Sequence, residues 1–204
     1  MYYNGLVIFC KKVENIKLIV GLGNPGNKYE HTRHNVGFET IEKLVFDYKL
    51  KLKNKWRMRA QVAKSKDFIL IKPQTYMNLS GNSVQAAIKF FKLDINSLII
   101  IYDDTSLPLG SIRIRQNGSS GGQKGMEHII NTLGTTEIPR VRIGIGKKPD
   151  NMDLIDYVLS RFYKNEQEAM IKGITQAAEA AMLIVESGVI NAMNKYNKKT
   201  TETL

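Results

Sequence analysis

The segment 98–102, which reads Leu-Ile-Ile-Ile-Tyr, restricts the fold of this chain more than any other. A strand that is apolar at every position has to be buried on both faces, so it belongs at the centre of a sheet with helices on either side. The segment 16–22 contains a second short apolar run of this kind. Strands therefore alternate with helices, and the loops at the strand ends are expected to build any functional site.

The rest of the chain fits one mixed α/β domain. Further strands are predicted at 59–64, 68–71, 111–115 and 141–145, and helices at 35–48, 81–91, 125–133 and 166–187. The last helix carries a continuous apolar stripe and ends at Gly188. We predict a single catalytic domain over 16–194, with a twisted, mixed and largely parallel β-sheet flanked by helices on both faces. Residues 1–15 are predicted to form a flexible N-terminal extension and 195–204 a polar C-terminal tail.

The charge of the chain favours a polyanionic partner. The 204 residues include 30 Lys and Arg against 19 Asp and Glu, a net charge of +11. No apolar run approaches the length that crosses a membrane, so nucleic acid is the better candidate and no membrane partner is predicted. Cys10 is the one cysteine. An internal disulfide is therefore excluded, and a reducing compartment is expected, either the cytoplasm or an organelle of bacterial ancestry.

Cations occupy every second position of the segment 49–59. They are Lys49, Lys51, Lys53, Lys55, Arg57 and Arg59. An extended backbone would place all six on one face, where they could contact RNA phosphates. Arg113 and Arg115 repeat the spacing on another predicted strand. The alternative is a charged edge strand that resists aggregation, but the net charge favours RNA binding.

Three histidines are the candidate proton carriers. His34 follows the turn 21–26 just beyond a predicted strand, and an imidazole there can accept a proton near neutral pH. His31 lies three residues earlier and could be presented by the same loop. His128 is out of phase with the apolar positions of its helix, so we expect it to be exposed to solvent. Asn24 lies in the turn and would fold back towards the same rim.

Polar groups also follow the other predicted strands. Asp103 ends the central strand, where it could orient a histidine or cap a turn. In the segment 72–81, Asn78 offers an amide and Tyr76 a ring that could stack on a base, although both could be purely structural. The glycine-rich segment 118–125 opens a helix and could hold an anion. It is not a Walker loop, because Gly-Lys-Ser/Thr is missing.

The turn 21–26 also matches the dinucleotide pattern G-x-G-x-x-G. A dinucleotide site needs a helix that opens at the turn and a second strand that ends in an acid. Here the predicted helix begins only at residue 35, and no strand that ends in an acid follows at the required distance, because Glu39 and Asp47 both fall within that helix. We therefore exclude a nicotinamide site.

Several motifs in register resemble those of the bacterial-type peptidyl-tRNA hydrolases. They are Gly-Leu-Gly-Asn-Pro-Gly (21–26), Tyr29, Thr-Arg-His-Asn-Val-Gly-Phe (32–38), Lys-Pro-Gln-Thr-Tyr-Met-Asn-Leu-Ser-Gly (72–81), Tyr-Asp-Asp (102–104), Leu-Pro (107–108), the glycine-rich segment and Arg-Val-Arg-Ile-Gly-Ile-Gly (140–146). The likeness runs from about residue 16 to about residue 194.

The resemblance implies an enzyme that cleaves the ester between a peptide and the 3′ ribose of tRNA, and so recycles tRNA. It implies His34 as the base that activates water, Asp103 as its support, and Asn24 and Asn78 as groups that position substrate and water. The residues assigned to the tRNA are Tyr29, Tyr76, Lys124, Arg113, Arg115 and Arg142. It implies a monomer without a metal or other cofactor. The alternative is a non-catalytic RNA-binding relative on the same scaffold.

Two positions depart from the family pattern. Gln123 and Lys124 stand where many relatives have His-Asn, and Ser106 stands where many have Asp. Lys124 cannot accept a hydrogen bond as asparagine does, but it could meet a phosphate or ribose. Ser106 removes a local charge, which could alter the pH dependence of His34.

Overall fold

The computed structural model describes residues 16–197, which form seven strands and six α-helices. The strands are β1 (Lys17–Gly21), β2 (Lys53–Lys55), β3 (Ala60–Lys64), β4 (Phe68–Pro73), β5 (Leu98–Asp104), β6 (Ile112–Arg115) and β7 (Arg140–Gly144). The helices are α1 (Val36–Asp47), α2 (Ser80–Phe91), α3 (Lys124–Leu133), α4 (Leu154–Leu159), α5 (Gln167–Ser187) and α6 (Val189–Tyr196). No helix among these residues is long and apolar enough to span a membrane.

All seven strands form one sheet in the order β2-β3-β4-β1-β5-β7-β6. The four central strands β4, β1, β5 and β7 are parallel. The strands outside them pair antiparallel: β3 on β4, β2 on β3, and β6 on β7. The predicted mixed, largely parallel sheet in a single domain is confirmed. The carboxyl ends of the parallel strands point to one rim, where the functional site of such a sheet is expected.

Side chains of the central strands alternate between two apolar cores. Ile19, Ile99 and Ile101 face the core beneath α1, α5 and α6. Leu18 and Ile100 face the opposite core, to which α2 and α3 contribute. The sheet is thus covered on both faces, as the all-apolar sequence of its middle strands predicted.

The N-terminus of α1 lies unusually close to the sheet. A Cβ atom built on Gly21 would lie 2.1 Å from the carbonyl oxygen of Gly37, and one built on Gly37 would lie 2.5 Å from the carbonyl oxygen of Ile101. Neither position can hold a side chain, since real Cβ contacts are never so short. The turn that precedes α1 is therefore held directly above the ends of β1 and β5.

The prediction that the cations of 49–59 share one extended face is wrong. Only Lys53–Lys55 is a strand, and a 3₁₀ turn follows at Trp56–Met58. Lys49 and Arg59 have φ values of 51° and 48°, which break the extended backbone at both ends. The physical reason is Met58, which is 1% exposed and turns the chain into the core.

Helices α4 and α6 had no counterpart in the prediction. The domain was expected to end at residue 194, but α6 continues to Tyr196, and the amide of Asn197 exchanges hydrogen bonds of 2.8 and 2.9 Å with the backbone of Ile114. The last described residues therefore belong to the fold. The predictions for 1–15, and for 198–204 of the tail, fall outside the described residues.

Candidate active site

A cleft with a volume of about 480 Å³ opens at the carboxyl ends of β1, β4 and β5. Its polar lining brings together residues that are far apart in sequence: Asn24, His34, Asn78, Asp103, Gln123 and Lys124. One wall is apolar and comes from α4, through Leu154, Ile155, Val158 and Leu159. The cleft therefore combines proton-transfer groups with a surface suited to apolar side chains of a substrate.

His34 and Asp103 form a hydrogen-bonded pair in this cleft. The imidazole Nδ1 lies 2.8 Å from Asp103 Oδ2, and the two side chains are 12% and 4% exposed. A carboxylate only accepts hydrogen bonds, so Nδ1 carries the proton and Nε2 keeps its lone pair. Among the described residues Nε2 has no hydrogen-bond partner. The neutral ring is thus oriented as a base.

Two opposing effects set the pKa of His34. Burial lowers the pKa of the imidazole, but the negative charge of Asp103 and the hydrogen bond to it act in the opposite direction. Together they prevail, so the pKa of His34 lies above its ordinary value. The pair therefore favours the imidazolium that forms when the ring takes a proton.

Gln123 fixes the other oxygen of Asp103. Its Nε2 donates to Asp103 Oδ1 at 3.1 Å, while its Oε1 accepts from the Met126 backbone N–H at 2.7 Å. The second bond caps α3 and settles which end of the amide faces the carboxylate. Gln123, Asp103 and His34 therefore form a chain of hydrogen bonds in which Gln123 cannot titrate.

Asn24 is fixed through both its backbone and its side chain. Its N–H donates to Asn35 Oδ1 at 2.8 Å, and its carbonyl oxygen accepts from Asn35 Nδ2 at 3.0 Å. Its side-chain Oδ1 accepts from the Met77 N–H at 2.8 Å. Its Nδ2 amide has no partner among residues 16–197, so it is available to donate to a bound carbonyl oxygen.

Arg33 anchors the turn that carries His34. The guanidinium is 1% exposed and donates to Glu166 Oε2 at 2.6 Å and to the Ile145 carbonyl at 3.1 Å. It also lies 4.5 Å from the ring centroid of Tyr157. These contacts tie the turn to α4 and to the beginning of α5, and so connect His34 to the apolar wall of the cleft.

The remaining residues assigned to the tRNA end lie at the rim. Tyr76 and Asn78 are exposed and line the cleft, whereas Tyr29 meets the edge of the Tyr76 ring at a centroid distance of 6.4 Å without lining the cleft. Lys124 is 71% exposed and lies 3.0 Å from Glu127. This surface ion pair is weak enough to be exchanged for a phosphate.

A second, basic cavity of about 310 Å³ adjoins the cleft. Arg115, Arg140 and Arg142 line it, and it shares Ser120 and Gly121 with the cleft. The Arg142 Nε donates to Asp104. Arg113 pairs in register with Arg142 across β6 and β7 but does not line the cavity.

Known proteins resemble this chain in sequence and in fold. The family model described as peptidyl-tRNA hydrolase matches residues 18–203. The peptidyl-tRNA hydrolases of Chloroflexus aggregans and Lachnoclostridium phytofermentans are 45% and 46% identical, over 88% and 91% of this chain and 98% and 99% of their own. The chain belongs to the peptidyl-tRNA hydrolase family. The crystal structure of the peptidyl-tRNA hydrolase from Acinetobacter baumannii superposes with a TM-score of 0.84 at 36% identity, covering 90% of this chain and 95% of that one.

The two departures from the peptidyl-tRNA hydrolase pattern leave the His34–Asp103 pair intact. Gln123 continues the hydrogen-bond chain behind Asp103. The Ser106 hydroxyl donates to Asp104 Oδ1 at 2.6 Å and accepts from Arg142 at 3.2 Å, so it bonds to the neighbouring acid and not to Asp103 or His34.

The other two histidines do not line the cleft. His31 is 76% exposed and faces Glu39 at 3.4 Å. The expectation that His128 is exposed to solvent is wrong, because it is half-buried and its Nδ1 accepts from the Gly81 N–H at 3.1 Å. The partner, Gly81, belongs to the neighbouring helix α2, so the pattern of apolar positions in α3 alone could not predict this contact.

Sequence reasoning missed Asn35, Arg33 and α4 as parts of this peptidyl-tRNA hydrolase site. Asn35 and Arg33 flank His34 within one motif, and a polar side chain on either side of a candidate base was a usable signal. No local sequence pattern predicted that α4 would line the cleft. The position of α4 depends on contacts between distant segments, namely the hydrogen bonds of the turn before α1 to residues 160–166.

Proposed function

We propose that this protein hydrolyses the ester of peptidyl-tRNA with His34 as the general base. The observation that carries the proposal is the 2.8 Å contact between His34 Nδ1 and Asp103, after which Nε2 has no hydrogen-bond partner among residues 16–197. An ester requires an activated water and stabilisation of the oxyanion, and both can come from the groups that line this cleft.

The proposed reaction begins when Nε2 of His34 takes a proton from a water molecule held near Asn78. The oxygen of that water attacks the ester carbonyl carbon, and the Nδ2 amide of Asn24 donates to the oxyanion that develops. The imidazolium, stabilised by Asp103, then gives its proton to the departing 3′ oxygen of the ribose. The products are a free peptide and an intact tRNA.

Preference for peptidyl-tRNA over aminoacyl-tRNA follows from solvation. A free α-ammonium group would lose hydration at the cleft, whose α4 wall is apolar, without gaining a partner there. An amine blocked by an acyl group carries no charge and therefore loses much less hydration free energy. This reasoning extends the proposed specificity to any N-acylated aminoacyl-tRNA.

The direct test is release of the acyl group from N-acetyl-aminoacyl-tRNA by the purified protein, in the presence of a metal chelator. We expect multiple turnovers, with free aminoacyl-tRNA cleaved far more slowly. Tight binding of the substrate without release would instead support the non-catalytic RNA-binding relative. Loss of activity in chelator, restored by a divalent metal, would contradict the metal-independent mechanism.

The arginines of β6 are proposed to contact tRNA phosphates. Replacing Arg113 and Arg115 by glutamine should weaken tRNA binding and lower the slope of log affinity against log salt by about two, since each phosphate contact contributes about 0.9. Cleavage of a short ester analogue should change little. The measurement is a salt series of binding for the double variant.

The matched control removes two cations elsewhere, with Lys164→Gln and Lys172→Gln. This double variant should keep the original salt slope, because both lysines lie at or beside α5 and outside the cleft lining. If the arginine variant lost as much activity towards the short ester as towards tRNA, the two arginines would be needed for the fold and not for binding tRNA.

The monomeric state and the cytoplasmic location remain predictions from the sequence.

A further inference from the structure

The segment 48–66 is strongly basic and is not used by the proposed reaction. It contains eight cations and no acid: Lys49, Lys51, Lys53, Lys55, Arg57, Arg59, Lys64 and Lys66. None of the eight takes part in an ion pair within the described part of the chain. We call residues 48–66 the basic edge. Its charge is therefore not neutralised by the protein itself.

Trp56 is the one tryptophan of the chain and is 80% exposed within the basic edge. It lies in the 3₁₀ turn between β2 and β3, and the Arg57 guanidinium is 5.2 Å from its ring centroid. Met58, two residues later, is buried and anchors the turn. The fold thus uses Met58 for packing and leaves the largest aromatic ring of the segment in solvent.

The turn of the basic edge lies close to the cleft, and β2 follows the margin of the sheet. The Arg59 carbonyl accepts from the Gln74 N–H at 2.6 Å, which places the turn next to the loop that carries Tyr76. Strand β2 lies at one margin of the sheet and β6, with Arg113 and Arg115, at the other. Six strand spacings separate these margins, about 29 Å. The two basic surfaces are therefore distinct.

We propose that the basic edge binds single-stranded RNA, with Trp56 as a platform on which a base stacks. Lysine and arginine side chains would follow the phosphates, and the exposed ring would hold the base, as in surfaces that bind single strands without sequence preference. Protection of an edge strand needs only the two lysines of β2 and does not account for an exposed indole. An acidic peptide would need only the positive charges, so it would not account for the exposed Trp56 ring either.

The proposal is tested through the intrinsic fluorescence of Trp56, which reports on this surface alone. Titration with a 12-nucleotide oligouridylate at low salt should quench the emission to a plateau, and added salt should reverse the effect. By anisotropy of a labelled oligonucleotide, Trp56→Ala should bind about tenfold more weakly, a typical effect for the loss of one stacked base. The triple variant Lys51→Gln, Lys53→Gln, Lys55→Gln should also bind more weakly.

The control Ile171→Ala removes an exposed apolar side chain of α5, outside the basic edge, and should bind like the parent protein. The Arg113→Gln, Arg115→Gln variant should still show quenching, which separates this surface from the proposed tRNA site. Equal quenching by inorganic polyphosphate would overturn the stacking role. Absence of quenching, or its loss in the arginine variant, would overturn the proposal, whereas the ester hydrolysis assay would be unaffected by either result.

Discussion

Replacing His34 by alanine should lower the turnover of N-acetyl-aminoacyl-tRNA by about three orders of magnitude, the scale of a general base. The affinity for tRNA should stay within about twofold, because the imidazole is one small group in a large contact surface. Turnover should fall because no other described side chain in the cleft presents an unpaired nitrogen base near Asn24 and Asn78. Single-turnover rates and separate binding measurements distinguish the two effects.

His31→Ala is the matched control for this variant. His31 lies three residues away and is exposed to solvent, and its Nδ1 faces Glu39 instead of Asp103. It should keep nearly full activity. Comparable losses in the two variants would mean that the turn as a whole is sensitive and would remove the assignment of His34 as the base.

Replacing Asp103 by asparagine should lower the maximal rate by about a hundredfold and move the acidic limb of the pH profile to lower pH. Asp103 raises the pKa of His34 above its ordinary value against the effect of burial. Without that charge burial dominates, so the pKa falls and the ring stays neutral at lower pH. The neutral fraction rises, but the imidazolium formed in the reaction loses its stabilising partner.

The profile of kcat/KM against pH for both proteins measures this shift. Gln123→Ala provides a graded comparison, because it frees one oxygen of Asp103 without removing the charge. Its acidic limb should stay close to that of the parent protein, with a smaller loss of rate. An acidic limb that moves to higher pH in Asp103→Asn would contradict the electrostatic role of Asp103.

The middle of the fold could be predicted because its sequence allows few alternatives. A strand such as β5, apolar at five consecutive positions, has to lie between two layers of helices, and the observed sheet places it there. The short helices α4 and α6 could not be predicted in this way, since their stability comes from tertiary contacts such as the bond of the Tyr157 hydroxyl to the Ile145 carbonyl.

In the candidate site, too, some features could be predicted from local sequence and others depend on tertiary contacts. His34, Asn24 and Asp103 could be located from the sequence because each follows or ends a recognisable strand, and strand ends of a parallel sheet share one rim. The contacts that orient them come from residues distant in sequence. Gln123 reaches Asp103 across 20 positions, and Arg33 reaches Glu166 across 133. No local pattern encodes such partners.

The closeness of Gly21 and Gly37 has a consequence for how this active site can vary. The helix that follows the His34 turn begins with backbone packed directly against the backbone of β1 and β5, and at Gly21 and Gly37 there is no side chain that could adapt its rotamer. A side chain added at either position would therefore have to displace the turn that carries His34. The apolar side chains of α4 and the residues of the rim can be exchanged without touching this contact, whereas Gly21 and Gly37 cannot be enlarged.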